Sequence, residues 1–251
     1  MRFILVFISI CILIQTNTYA YSIYVMDSGH QGAVNVKSVL TNLGHDVTAA
    51  GTNTLADYSS YDQVWDLRYP NSLTTADVNA MSTFLTEGGK LYLTGENSSW
   101  DARNNSVINF VSNVGGGTLN YGTVTTVHSY QQITSTGQTK IGTPNSITQI
   151  YFRNARRMSA GNGFLLTESE QNGYGSLIGW ESSNITGNGK MLVGLDINMY
   201  DNTSADKHNN THVIQNLTEF LGEASPIPEP HSIICILLGS IMLVSRYIKK
   251  T

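Results

Sequence analysis

Glu87-Gly88-Gly89-Lys90-Leu91-Tyr92-Leu93-Thr94-Gly95 decides the fold. Two glycines stop whatever helix precedes them, a short run with Leu91, Tyr92 and Leu93 reads as a buried strand, and Gly95 permits a tight bend after it. Upstream, Thr74-Thr75-Ala76-Asp77 opens a helix with Thr74 as cap and Asp77 three residues on, a variant of the capping box. That helix continues through Val78, Met81, Phe84 and Leu85. Downstream, 103–114 reads as a helix stopped by Gly115-Gly116-Gly117. The unit is therefore helix, strand, bend, helix.

The same alternation runs back to residue 21. Tyr21 to Met26 reads as a strand, Asp27 to Gly32 as a loop, and Ala33 to Leu43 as a helix closed by Gly44. His45 to Ala50 and Gln63 to Leu67 supply further strands. Strands alternating with helices predict a three-layer α/β domain, a parallel sheet covered on both faces. Residues 118–149, rich in Thr, Ser and Gly, read as β-structure or long loops; strands return at 163–167, 175–180 and 190–196, and a last helix at 212–221.

This arrangement resembles the class I glutamine amidotransferase-like fold, a flavodoxin-like layer. The residues that carry the resemblance are the quoted stretch 87–95 and the late Gly194-Leu195-Asp196 strand followed by Thr211 to Leu217. Where that family's enzymes place a nucleophilic Cys after the strand, this chain has Glu96, so the resemblance implies the fold without the amidotransferase chemistry.

In an open α/β sheet, ligands bind at the carboxyl ends of the strands. Four residues there are candidates for general acid/base work: Asp27, His30, Glu96 and Asp196. His30 is the natural base, with Asp27 close enough in sequence to orient its imidazole. Asp66, Arg68, Asn97, Trp100 and Asn198 are candidate ligand-binding residues at the same edge. Trp100, in a polar loop, is the aromatic best placed to stack on a sugar ring, whereas Trp65 and Trp180 sit in apolar strands and belong to the core. The structural alternative for each polar residue is a helix cap or turn. No Gly-x-Ser-x-Gly elbow is present, which argues against a serine hydrolase. His208 and His212 have the spacing of a metal pair but lack a third ligand nearby, so no metal and no cofactor is expected. Arg153, Arg156 and Arg157 form the one basic cluster; it suits an anionic sugar or phosphate, or else a solvated face paired with acids.

The two ends differ from the domain between them. Met1-Arg2, an apolar run from Phe3 to Ile14 and Thr18-Tyr19-Ala20 have the three regions of a secretory signal, expected to be cleaved after Ala20; the alternative is an uncleaved anchor. Pro228-Glu229-Pro230, an apolar run from Ser232 to Val244 and a basic end with Arg246, Lys249 and Lys250 resemble the PEP-CTERM sorting signal. That resemblance implies a bacterial exosortase as processing partner, a transmembrane sorting helix over 226–251, and display at the cell surface or in an exopolysaccharide matrix. A plain tail anchor is the alternative. The expected organisation is signal 1–20, domain 21–225, tail 226–251. Both cysteines, Cys11 and Cys235, fall in the ends, so the domain lacks a thiol nucleophile and a disulfide. Of 14 basic residues, Arg2, Arg246, Lys249 and Lys250 are terminal; the remaining ten face 17 of the 18 acids, Glu229 being in the tail. That acidic balance excludes nucleic acid as a natural partner. The expected role is a non-catalytic binding or structural domain with a surface polymer as partner; the alternative is a hydrolase acting on such a polymer.

Overall fold

The computed structural model describes residues 20–123, 127–201 and 210–222. The expected leader, the sorting tail and His208 lie outside the described residues. Five strands run parallel in the order β2 (Asp46–Gly51), β1 (Ser22–Asp27), β3 (Gln63–Leu67), β4 (Lys90–Thr94) and β10 (Lys190–Gly194). β9 (Leu177–Trp180) and β7 (Phe164–Leu165) extend the sheet antiparallel beyond β10. The antiparallel turn has a simple cause. Only 181–189 joins β9 to β10, and a parallel crossover needs a dozen or more residues.

Side chains alternate between two cores, as the period of a strand requires. Ile23, Val25, Trp65, Tyr92 and Leu192 face one way, toward α1 (Gln31–Asn42) and α5 (Asn210–Gly222). Tyr24, Met26, Val64, Leu91, Leu93, Met191 and Val193 face the other, toward α2 (Thr75–Thr86) and α3 (Asp101–Asn113). The result is the three-layer α/β architecture. Trp65 and Trp180 are fully buried, as their strands imply. The capping box is present: Thr74 Oγ1 accepts the Asp77 N–H at 3.2 Å and Asp77 Oδ2 accepts the Thr74 N–H at 2.7 Å.

The region from 118 to 149 holds more order than its composition suggests. β5 (Val127–Ile133), β6 (Gln149–Ala155) and β8 (Thr167–Glu168) form a separate antiparallel sheet in the order β6-β5-β8. Between β5 and β6 lies a short helix, α4 (Ser135–Ile141), which the sequence pattern does not announce; its polar residues have no apolar period, but Thr134 caps it by accepting the Gly137 N–H at 2.8 Å. The expected strand at 163–167 is split, with β7 in the large sheet and β8 in the small one. Buried asparagines join these parts by bonding main chain in place of water. Asn216 donates to the Ile141 and Asn145 carbonyls, both at 2.7 Å, and Asn210 to those of Tyr151 and Met199, both at 2.9 Å. Among the described residues no helix is long and apolar enough to cross a membrane.

Gly194, at the end of the central β10, has no room for a side chain: a Cβ there would overlap the Tyr92 hydroxyl. Tyr92 stacks on Trp65 with centroids 4.6 Å apart and shares a 3.0 Å hydrogen bond with Tyr200. Gly194→Ala is therefore expected to destabilise the domain by about 1–3 kcal/mol through overpacking, measured as a lowered denaturant midpoint with an unchanged slope.

Candidate functional site

The carboxyl ends of β1, β3, β4 and β10 lie side by side, and the residues following them divide into three groups. The first is a buried ion cluster. Asp66, at the end of β3, has no exposed surface; Arg68 Nε and Nη2 donate to its two oxygens, each at 2.9 Å, and Arg103 Nη1 approaches Oδ2 at 3.2 Å. Arg68 Nη2 also donates to Asp77 at 2.7 Å, and Thr54 and Thr74 bond the same carboxylate. Burial pushes Asp77 up, but these three donors outweigh it and hold the group at about 2. Burial likewise works against the Asp66 charge, and Arg103 and Arg68 more than compensate, keeping it below the usual carboxylate range. Two arginines and two aspartates thus neutralise one another. Asp66 and Arg68, candidates for ligand binding, have their bonding capacity spent inside the protein.

The second group is a carboxyl pair. Gly95 bends the chain after β4, and Asn104 fixes the bend: its Oδ1 accepts the Glu96 N–H at 2.7 Å while Nδ2 donates to the Glu96 and Asn97 carbonyls at 2.8 and 3.1 Å. Glu96 is 1 % exposed. Its Oε1 accepts the Ile197 N–H at 2.9 Å, and its Oε2 accepts both N–H groups of Asn97, main chain at 3.1 Å and side chain at 3.0 Å. Asp196, after β10, is wholly buried and accepts the main-chain N–H of Arg153 at 2.6 Å, Asn154 at 3.1 Å and Asn198 at 2.9 Å. Asn198 Nδ2 bridges the pair, 3.1 Å from Asp196 Oδ1 and 3.5 Å from Glu96 Oε1. Burial and then the Asp196 charge push Glu96 up to about 8; burial also raises Asp196, against the pull of its N–H donors.

The third group is the rim. His30 caps α1 by accepting the Gly32 N–H on Nδ1 at 3.0 Å. Its pKa is lowered, first by burial, with Asp201 and Asn198 acting in the opposite direction. Asp27 does not orient it: Asp27 accepts from Lys37 and from the Gly29 N–H, each at 2.7 Å, because a lysine one helical face away reaches the carboxylate. Tyr69 meets His30 edge-on at 5.2 Å and Trp100 at 5.3 Å. Trp100 is 37 % exposed and ends the 3-10 turn Ser98–Trp100. Asn97 caps that turn, accepting the Ser99 N–H at 2.8 Å.

The basic cluster is no solvated face. Arg153 pairs with Asp201 at 2.8 Å, but Arg156 and Arg157 are only 8 % and 6 % exposed, because the chain leaving β6 is covered by 121–123 and 171–176. Arg156 lies 3.5 Å over the Tyr121 ring and pairs with Asp101. Sequence reasoning misses Arg103, Asn104, Asp77 and Tyr69 as residues of this edge. A signal exists for two of them: Arg103 and Asn104 fall on the same helical stripe as Val107, Phe110 and Val111, which marks them as inward-facing. No group of three metal-ligating side chains is present among the described residues. The edge therefore offers an inward-bonded floor and an aromatic rim.

No family model matches this sequence, and no curated protein matches it. Solved structures do. The "mmIFT52 N-terminal domain" superposes with a TM-score of 0.64 at 11% identity, over 81% of this chain and 99% of that one. A putative ThuA-like protein from Parabacteroides merdae gives 0.51 at 10% identity over 83% and 94% of the two chains. A putative GMP synthase protein from Thermoplasma acidophilum gives 0.50 at 10% identity over 81% and 94%. The domain thus has a mixed α/β fold, mostly parallel at its centre, of the glutamine amidotransferase-like kind.

Glu96 generates a pH-dependent prediction. A carboxyl whose folded pKa lies above its unfolded value contributes stability that is complete below the unfolded pKa and is lost as pH rises through the folded one. That window runs from the ordinary glutamate range up through about 8. In Glu96→Gln the amide must set an N–H against either the Ile197 or the Asn97 donor, costing about 1–3 kcal/mol. The variant is expected to melt below the parent at pH 5, with the gap narrowing toward pH 9. A gap independent of pH over that range would contradict the raised pKa.

Proposed function

We propose that this chain is an exported protein, processed at both ends, whose domain is a non-catalytic binding module for a surface saccharide. One observation carries the binding part. At the position following β4, where an amidotransferase-like enzyme needs an accessible nucleophile, Glu96 is buried and accepts main-chain N–H bonds, while a few residues on Trp100 presents a ring at the rim. An exposed tryptophan in edge contact with Tyr69, which in turn meets His30 edge-on, has the amphipathic character suited to a sugar: a flat apolar face for the ring's C–H groups and polar neighbours for its hydroxyls. The sorting-signal resemblance of 226–251 supplies the setting, an exosortase partner and an exopolysaccharide matrix.

The raised carboxyl pair favours a second reading. Two carboxyls with pKa values driven apart and upward are the raw material of general acid catalysis, so a polymer hydrolase working through Glu96, Asp196 and His30 is the alternative. Burial of both carboxyls beneath their own donors weighs against it.

Trp100→Ala is expected to weaken polysaccharide binding by about tenfold, a loss typical of one truncated aromatic contact, with little change in melting temperature; binding of neutral polysaccharides measured with the full-length protein in detergent checks it. Saccharide products released by the parent and abolished in Glu96→Gln would establish the hydrolase instead. Deleting Pro228 to Thr251 is expected to move the protein from the envelope fraction to the periplasm or medium. An unchanged distribution would refute the sorting role.

A further inference from the structure

Where the parallel strands begin, at the edge opposite the rim, a cleft of about 380 Å³ is lined by Tyr21, Tyr61, Asp62, Phe84, Glu87 and Lys90. That volume lies in the range of small-molecule sites, about 300–1,000 Å³. Lys90 differs from the other lysines. Of the four among the described residues, Lys37 pairs with Asp27 at 2.7 Å, Lys140 pairs with Glu181 at 2.8 Å, and Lys190 donates to the Phe220 carbonyl at 3.0 Å. Lys90 is half-buried and has no ion pair among the described residues; its ammonium bonds the Gly88 carbonyl. In the ladder of β4 and β10 it stands opposite Lys190, so two cationic side chains begin at the same rung of adjacent strands. The acids nearby leave it unpaired. Asp62, before β3, accepts the Ser22 N–H at 2.8 Å, and Glu87 ends α2 without reaching the ammonium. The Tyr21 and Tyr61 hydroxyls bond Glu219 and Thr48. Burial first, and then Lys190, lower the Lys90 pKa, with Asp62 acting in the opposite direction. Desolvation and a second cation are the two conditions that make a lysine nucleophilic, because each favours the amine with its free electron pair.

We propose that Lys90 is a reactive amine and that the cleft takes a small aldehyde, joining it to Lys90 as an imine. This site is separate from the rim and does not depend on the rim binding a saccharide. The step needs no oxidant or reductant. The Lys90 ammonium loses a proton to solvent, its nitrogen adds to the carbonyl carbon, and the carbinolamine so formed expels the carbonyl oxygen as water, leaving C=N in place of C=O. The cleft suits both partners. The Tyr21, Tyr61 and Phe84 rings offer apolar surface to the carbon chain of the aldehyde. The Gly88 carbonyl can accept from the amine N–H as it does from the ammonium, so the nitrogen stays oriented while its electron pair is freed.

The test uses the full-length protein in detergent, incubated with glyceraldehyde and cyanoborohydride, which adds hydride to the imine carbon and traps the adduct as a secondary amine. Peptide mapping then gives the rate at each lysine. Lys90 is expected to be modified severalfold faster than Lys37 or Lys140 at pH 7, and its rate to level off below the ordinary lysine range of about 10.4. Its rate should also saturate with glyceraldehyde, while those of Lys37 and Lys140 stay linear. Lys190→Met removes the neighbouring charge and should slow Lys90; Asp62→Asn removes the opposing one and should speed it. Saturation measured on the parent decides the question even where a variant fails to fold. Equal rates at the three lysines, or a Lys90 rate moved by neither substitution in folded variants, would overturn the proposal. So would a Lys90 rate that grows linearly with glyceraldehyde, the behaviour of an amine with no site beside it.

Discussion

The arrangement at the carboxyl edge depends on the contact between Arg103 and Asp66. A fully buried aspartate at the end of a central strand is tolerable only with its charge balanced on the spot, since removing one member of such a pair typically costs about 3–5 kcal/mol. Arg103 reaches Asp66 from α3 and, through Nε, bonds the Thr94 carbonyl at 2.7 Å, fixing where β4 ends. Its neighbour Asn104 then clamps the main chain of Glu96 and Asn97. Two consecutive residues of one helix thus set both the strand end and the bend after it. Arg68 and Asp77 extend the same cluster to α2 and the loop carrying Thr54. The strands can shift relative to the helices only by uncovering charge.

This determines what kind of site the edge can be. Polar groups at a functional edge are useful when they are held in place but unsatisfied. Here Asp27, Asp66, Arg68, Asn97 and Asp196 are held and satisfied, each by named partners within the protein. Among the large apolar side chains of this edge, the Trp100 ring stays exposed.

The layers are legible in the sequence because period and punctuation agree. Gly44, Gly88 and Gly95, the Thr74–Asp77 cap and the apolar strand at 91–93 each predict what is observed, to within two residues at the helix ends. The small sheet and α4 are not legible, since residues such as Ser135-Thr136-Gly137-Gln138 form a helix only because Thr134 caps it and Ile141 packs under α5. At the site, sequence identifies the edge and most of its acids but not their roles. Whether a strand-end aspartate faces a ligand or an arginine depends on residues 37 positions away, as between Asp66 and Arg103, and local spacing carries no trace of that. The arginine cluster escapes for the same reason. Burial of Arg156 and Arg157 comes from segments at 121–123 and 171–176 that approach only in the folded state.

At the opposite edge of the sheet a cleft of about 380 Å³ is lined by both Tyr21, just before the first strand, and Gly222, the last residue of α5, together with Lys90 and Asp62. Tyr21 Oη bonds Glu219 at 3.4 Å, so the beginning and the end of the described domain touch. The domain is therefore nearly a closed loop of chain, open to circular permutation by a short link at this pole with new ends cut elsewhere. The described chain thus enters and leaves at the edge where the parallel strands begin, opposite the carboxyl edge that carries Trp100.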